Sequence, residues 1–254
     1  MNSCTTCKEA IAHCMSTHTF AFAHLYGDEK IMDMHIHNCC EVYYSISGGK
    51  QFLIDHCLYD IRPGDLFLIN QFESHHLTQI DQQTHERIIL SIDPEYLSKL
   101  STGATDLGLC FSFRDTRMPH QIHLSPKEQN RFMYFIHELH DDGGMGEDLL
   151  DQAIFLELMV FLNRAFAARC TDAAAPAQAP SSNYHAQVDA ILSYINSNIG
   201  EPLTLAGLSA HFFMSTSYLC RIFKEATGTT INKYITAKRI TCLLYTSPSP
   251  RDTR

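Results

Sequence analysis

The sequence predicts an α+β chain with a strand-rich amino-terminal barrel, a helical hairpin and an all-α carboxy-terminal unit. Three observations predict it. Residues 42–54 alternate at period two around Gly48-Gly49, the pattern of paired strands. Residues 132–166 carry apolar stripes at helical spacing. After an Ala/Pro/Ser-rich stretch, residues 203–239 read as short helices joined by a tight turn.

The strand-rich segment spans 18–95. Val42, Tyr44 and Ile46 alternate with Tyr43, Ser45 and Ser47, and the strand resumes over Gln51–Ile54. Arg62-Pro63-Gly64-Asp65 makes a second turn. An apolar run at 66–69 and a further strand at 87–92 follow. Several short strands at regular spacing suggest a sandwich or small barrel.

This segment carries a polar constellation. His35, His37 and Glu41 precede Gly48 in the order His-x-His-x3-Glu-x6-Gly, and Pro63-Gly64-Asp65 leads to His75-His76. Residues 35 and 37 share one strand face, and Glu41 joins them if the strand continues or bends. Imidazoles and a carboxylate together suit three roles: gripping a hydroxylated small molecule, holding a metal ion, or forming an internal hydrogen-bond network. His35, His37, Glu41, Tyr44 and His75 are the expected effector-binding residues. Tyr43 and Phe52 are further candidates for aromatic walls, although aromatics in a strand are usually core. No metal or cofactor is expected, and His35, His37, Glu41 and His75 are the set that would hold a metal.

Cys4-Thr-Thr-Cys7, with His13, Cys14 and His18 nearby, offers one CxxC without a matching second pair. An unliganded, partly mobile terminus is expected there rather than a zinc site. Cys39-Cys40 reads as barrel packing, since free Cys behaves as a small buried hydrophobe.

Residues 120–170 should form the hairpin. Ser125 and Glu128 make a capping box with Pro126 at the first helical position. Phe132, Phe135, Ile136 and Leu139 form a stripe, and Asp141-Asp-Gly-Gly breaks it. The helix at 149–166 is apolar on nearly all sides, so it must be buried on more than one face. One face can cover the barrel, and another can meet a second copy or more of the same core. Residues 171–183, TDAAAPAQAPSSN, have linker composition. Beyond them Val188, Ile191, Leu192, Ile195 and Ile199 make an amphipathic helix, ended by Gly200 and Pro202.

Residues 184–241 form the last unit. Thr204 is a plausible N-cap for a helix whose Leu205, Leu208, Phe212 and Phe213 share a face. After the break at Met214, Ser215 caps a second helix with the stripe Leu219, Ile222, Phe223 and Ala226, and Gly228 sits at its stop. Any helical hairpin gives such stripes. The distinguishing feature is the opposite face, where Ser217, Cys220, Arg221 and Lys224 project together. Early-helix Arg can bond guanine edges bidentately, and small neighbours let the backbone approach.

The run Leu-Ser-x-x-Phe-x-Met-Ser-x-Ser-Tyr-Leu-x-Arg-x-Phe-Lys-x-x-x-Gly at 208–228 resembles the first helix-turn-helix of the AraC/XylS transcription regulators. Thr230, Ile231, Tyr234, Ile235 and Arg239 fit that family's following linker helix. The turn departs from the pattern, with Met214 where Gly is frequent. The resemblance implies base contacts at Ser217, Cys220 and Arg221 and phosphate contacts at Ser215 and Lys224. It also implies that the barrel is cupin-like, that it senses a small-molecule effector, with carbohydrates among the candidates, and that the hairpin forms a homodimer. The His/Glu order is similar to the first cupin motif, whose full ligand set binds metal. A metal-dependent cupin oxygenase or isomerase is therefore the alternative class. The resemblance further implies that effector binding alters the hairpin or linker and so the spacing of two DNA-binding units.

Charge divides along the same boundary. The chain carries 19 Lys/Arg against 28 Asp/Glu, net −9. Residues 1–183 hold 12 against 24, whereas 184–241 hold 5 against 3. The basic balance thus sits with the helix-turn-helix, as double-stranded DNA requires. No apolar run is long enough for a membrane span, no secretory signal is evident, and ten unframed cysteines fit a reducing cytoplasm. The family's second helix-turn-helix is expected to be missing, so a fragment impaired in DNA binding is a further reading. Residues 242–254, CLLYTSPSPRDTR, read as a non-native, adapter-like tail with no helix period.

Overall fold

The computed structural model describes residues 4–27, 34–79, 85–112, 120–139, 144–171 and 183–246. The elements are α1 (Cys7–Thr17), β1 (Phe20–Leu25), β2 (Cys40–Ser47), β3 (Gln51–Ile54), β4 (Cys57–Asp60), β5 (Asp65–Ile69), β6 (His75–Gln79) and β7 (Glu86–Ile92). There follow α2 (Pro94–Leu100), α3 (Leu109–Ser112), β8 (Gln121–His123), α4 (Pro126–Glu138) and α5 (Glu147–Thr171). The last elements are α6 (Asn183–Ser197), α7 (Leu205–His211), α8 (Thr216–Thr227) and α9 (Ile231–Thr246).

The named strands pair antiparallel, and an isolated bridge between Cys4 and Ala23 is parallel. A five-stranded sheet has the order β1-β7-β2-β5-β8, and a three-stranded sheet the order β4-β3-β6. Alternation along the strands sorts side chains to two faces. One face of the larger sheet carries Phe20, Phe22, Val42, Tyr44, Leu66, Leu68, Ile88 and Leu90. Phe132 and Phe135 of α4, and Phe155, Leu158, Met159 and Leu162 of α5, cover it. Phe155 stacks on Phe20 at 4.3 Å between centroids. The other face carries Ala21, Ala23, Tyr43, Phe67, Ile69 and Ile89, and meets Phe52, Ile54 and Leu77 of the smaller sheet.

Two elements differ from expectation at the amino terminus and at α9. Residues 7–17 form a capped helix, not a loose end: Thr6 accepts from the Glu9 N–H, and Cys7, Ala10 and Cys14 are buried against the barrel interior. The polar residues between them hid the short apolar stripe. Helix α9 continues to Thr246, five residues past the expected stop, because Leu243, Leu244 and Tyr245 are compatible with helix and Pro248 is the first breaker. Residues 172–182 of the expected linker and 247–254 of the expected tail lie outside the described residues. Among the described residues no helix is long and apolar enough to cross a membrane.

The turn at Gly64 joins the barrel to the hairpin. Gly64 has φ +88°, and a Cβ there would collide with the Gln129 side chain of α4, whose amide donates to Leu124 O at 2.7 Å. Gly64→Ala should therefore destabilise the fold by about 1–3 kcal/mol, measured as a lower urea midpoint with unchanged slope. The expected capping box is present: the Ser125 N–H donates to Glu128 Oε2 at 2.8 Å. Arg169 of α5 closes the hairpin on the same carboxylate, bonding Oε2 at 2.6 Å and Oε1 at 2.8 Å. That pair, first, and the Ser125 bonds hold the Glu128 carboxyl down at about 2.

Candidate effector site and nucleic-acid interface

The interior polar cluster forms where the end of β2 meets β6. His35 lies outside any strand but forms an isolated bridge with His75, each N–H donating to the other carbonyl, at 3.3 and 3.1 Å. This brings His35, His37 and His75 together, with ring centroids 4.4 to 6.0 Å apart. Their ligand nitrogens all lie within 4.8 Å of one another. Glu41, 2% exposed, completes the group: Oε2 is 3.1 Å from His37 Nε2, and Oε1 is 3.8 Å from His75 Nε2. Four of the five expected residues thus converge.

Tyr44 does not. It faces the opposite side of β2, 3% exposed, with its ring 4.6 Å from Phe132. Period two decides this: Glu41 and Tyr43 point inward, so Tyr44 points to the helical layer. Tyr43 and Phe52 do line the interior, 4.9 Å apart, although both are packed into its core.

Backbone carbonyls that orient the imidazoles leave no mark in the sequence. A carbonyl can only accept, so His37 Nδ1 donates to Cys39 O at 2.9 Å and His75 Nδ1 donates to Glu73 O at 2.9 Å. Both bonds aim Nε2 at the cluster centre. Charge follows position. Burial opposes charge on His37, but its bonds to Cys39 and Glu41 outweigh that and raise its pKa to about 10. Burial likewise opposes charge on Glu41, yet the imidazoles of His75, His37 and His35 hold it down at about 2. Burial dominates at His75 and lowers it to about 3. At neutral pH the centre thus holds an imidazolium–carboxylate pair beside the neutral imidazole of His75. Cys39 Sγ lies 3.3 Å from His37 Nδ1. A bond with the Cys14 thiol, then burial, pushes the Cys39 thiol far up. Cys14 is buried in the interior core and Cys7 Sγ lies 4.0 Å from Glu41 Oε2, whereas His18 bonds Asp93 at 2.9 Å.

The helical unit is built as its stripes dictate. Val188, Ile191, Leu192 and Ile195 of α6 pack with Leu208, Leu219, Ile222, Phe223, Ala226 and Tyr234. Thr204 accepts from Gly207 N, and Ser215 accepts from Tyr218 N. Gly228 takes φ +70° and closes α8. One assignment needs correction. Phe213 does not share the face of Leu208: it is 97% exposed at φ +53°. The left-handed turn residue is Phe213, so its side chain swings outward while Met214 packs on the core.

On α8, Ser215, Ser217, Arg221 and Lys224 are exposed, and Cys220 is half-buried at the edge of the core. The Arg221 guanidinium lies 5.2 Å over the Tyr218 ring and 3.3 Å from Glu225. The row is therefore solvent-facing, with the Arg221 guanidinium held over an aromatic ring.

The helical unit docks on the outer face of the smaller sheet. Leu53 is buried in the helical core. Asp55, at the β3–β4 turn with φ +56°, accepts the Tyr234 hydroxyl on its carbonyl at 2.7 Å. Its carboxylate pairs with Lys238, and His76 donates to the Thr227 carbonyl at the end of α8. No sequence signal marks this latch, since it joins residues about 180 positions apart.

Residues 19–159 match the family model described as AraC-like ligand binding domain, and residues 195–236 match bacterial regulatory helix-turn-helix proteins, AraC family. The chain is 25% identical over 207 residues to the uncharacterized HTH-type transcriptional regulator YbfI of Bacillus subtilis (strain 168), covering 81% of this chain and 70% of that protein. Among solved structures it is similar to the AraC-like transcriptional activator CuxR, with TM-score 0.34 and 16% identity over 83% of this chain and 68% of that one. It is also similar to ToxT from Vibrio cholerae, with TM-score 0.38 and 10% identity over 86% and 98%.

Proposed function

The chain belongs to the AraC family of transcription regulators, and on that premise we propose which residues read DNA and which sense the effector. Ser217, Arg221 and Lys224, with Ser215 and the edge residue Cys220, form the DNA-reading face of α8. His35, His37, Glu41 and His75 form the effector seat in a barrel spanning 18–95. The observation that carries the reading is the exposure of the α8 row in the docked unit, because docking leaves the reading face uncovered.

The seat suits an oxygen-rich small molecule, a carbohydrate among the candidates. A carboxylate accepts hydroxyl hydrogens, and imidazoles donate or accept. The role is binding rather than turnover, in the cytoplasm where DNA is found. The hairpin of residues 120–170 dimerises the chain: Leu149 and Leu150 are 67% exposed, and Leu156, Val160 and Phe161 of α5 line an open groove of about 470 Å³ with α4.

A route from seat to DNA runs through β6. His75 points inward to the seat, and the next residue, His76, points outward to Thr227 of α8. A displacement of β6 on effector binding reaches both. This route complements the segment expected to link the units at 171–183.

Thermal unfolding against a panel of sugars and hydroxy acids tests the seat. One chemical class should raise Tm by roughly 5–10 °C at concentrations near 100 Kd. His37→Ala should abolish the rise. An equal rise in that variant places the effector elsewhere.

A further inference from the structure

We propose that Tyr218 and Gln187 are positioning residues for DNA reading: together they hold the Arg221 guanidinium ready for a base edge. This rests on reading Arg221 as a base contact and names what sets its aim. The Tyr218 backbone is fixed first, since its N–H donates at 3.2 Å to the Ser215 hydroxyl that caps α8. The side chain is tied from outside α8. Its hydroxyl donates to Gln187 Oε1 of α6 at 3.4 Å. Gln187 adjoins Val188, which is fully buried in the core that α6 shares with α8. The ring is thus held at both ends, although Tyr218 is 37% exposed.

Tyr218 and Arg221 are three residues apart, so they are neighbours on the helix surface. Arg221 Cζ lies 5.2 Å over the Tyr218 ring, close enough for the ring face to attract the cation. Four residues on, the Glu225 carboxylate accepts from Arg221 Nη1 at 3.3 and 3.4 Å. The ring contact uses no N–H donor, and the Glu225 contact uses one nitrogen. The Nε and Nη2 donors therefore remain for a base edge, which takes two parallel bonds from a guanidinium. A long Arg side chain loses rotamer freedom when it binds. A ring that already restricts it lowers that cost and so favours the duplex with the right base. The bond to Gln187 makes the aim of Arg221 depend on α6, the first helix of the carboxy-terminal unit.

The test uses the full chain and fluorescence anisotropy with two duplexes. One is the duplex that the wild type selects from a random library. The other is substituted at the base pair where Arg221→Ala loses preference. Tyr218→Leu should lower affinity for the selected duplex roughly 2–5-fold, with the substituted duplex and the salt slope unchanged. In an Arg221→Ala background the same change should do nothing, because no guanidinium remains to be positioned. Tyr218→Phe keeps the ring and should lose less than Tyr218→Leu. Gln187→Ala should match Tyr218→Phe and add nothing to it. Gln187→Ala should also leave Tm within about 2 °C, so it serves if Tyr218→Leu fails to fold. If Arg221→Ala loses preference while Tyr218→Leu and Gln187→Ala read as wild type, base reading stands and positioning is overturned. Equal weakening of both duplexes by Tyr218→Leu would make Tyr218 a general DNA contact and likewise overturn it. If the wild type selects no duplex, or Arg221→Ala changes nothing, the reading of Arg221 fails and the proposal falls with it.

Discussion

Asp55→Ala should release the helical unit from the barrel and cost about 3 kcal/mol, because it leaves the Lys238 ammonium buried without its counter-charge. Lys238 is 6% exposed and Asp55 19% at the side chain. Hydrogen exchange should rise over 227–238 and 51–60 while the α4–α5 hairpin stays protected. Lys238→Met, which removes the charge and keeps the apolar stem, should cost less than Asp55→Ala. The pair also sets a pH window. Burial opposes the Asp55 charge, but His56 and Lys238 hold the carboxyl well below its usual range. A depressed carboxylate contributes stability that is complete above its ordinary pKa of about 4 and is lost only as pH falls through the lower folded value. The latch should therefore hold at pH 5 and open in strong acid. Equal exchange in Asp55→Ala and wild type over both segments would show that the turn does not hold α9.

Arg221→Ala should lower affinity for a specific duplex by about 10–100-fold and relax preference at one base pair, since a bidentate base contact is worth roughly 1–3 kcal/mol. Lys224→Ala should weaken all duplexes alike and reduce the salt slope by about one. Glu225→Gln should tighten binding slightly, because Glu225 pairs with Arg221 at 3.3 Å in the free chain and repels phosphate. Fluorescence anisotropy over a salt series separates the three. If Arg221→Ala changed only the salt slope, Arg221 would be a phosphate contact.

Local periodicity made the helical unit readable almost residue by residue. Leu219, Ile222, Phe223 and Ala226 are buried as their spacing requires, and Ser215 and Gly228 bound α8 as their chemistry dictates. Phe213 departs from the helical period because the period does not carry through the turn. Only the backbone shows that the left-handed position falls on Phe213 rather than Met214. In the barrel, spacing brought His35, His37, Glu41 and His75 together. Tyr44 lies outside the cluster because it shares the aromatic character of Tyr43 but not its parity. The carbonyls of Cys39 and Glu73 and the Asp55 latch were invisible, since backbone acceptors and long-range pairs leave no pattern in a single sequence.

If the exposed row on α8 reads DNA sequence, the chain must select its duplexes through Arg221. Selection of bound duplexes from a random DNA library by the full chain, in parallel with Arg221→Ala, tests it most directly. The wild type should yield a defined motif, and the variant should lose preference at one position. An unselective pool from folded wild-type protein, or an identical motif from both, would contradict it.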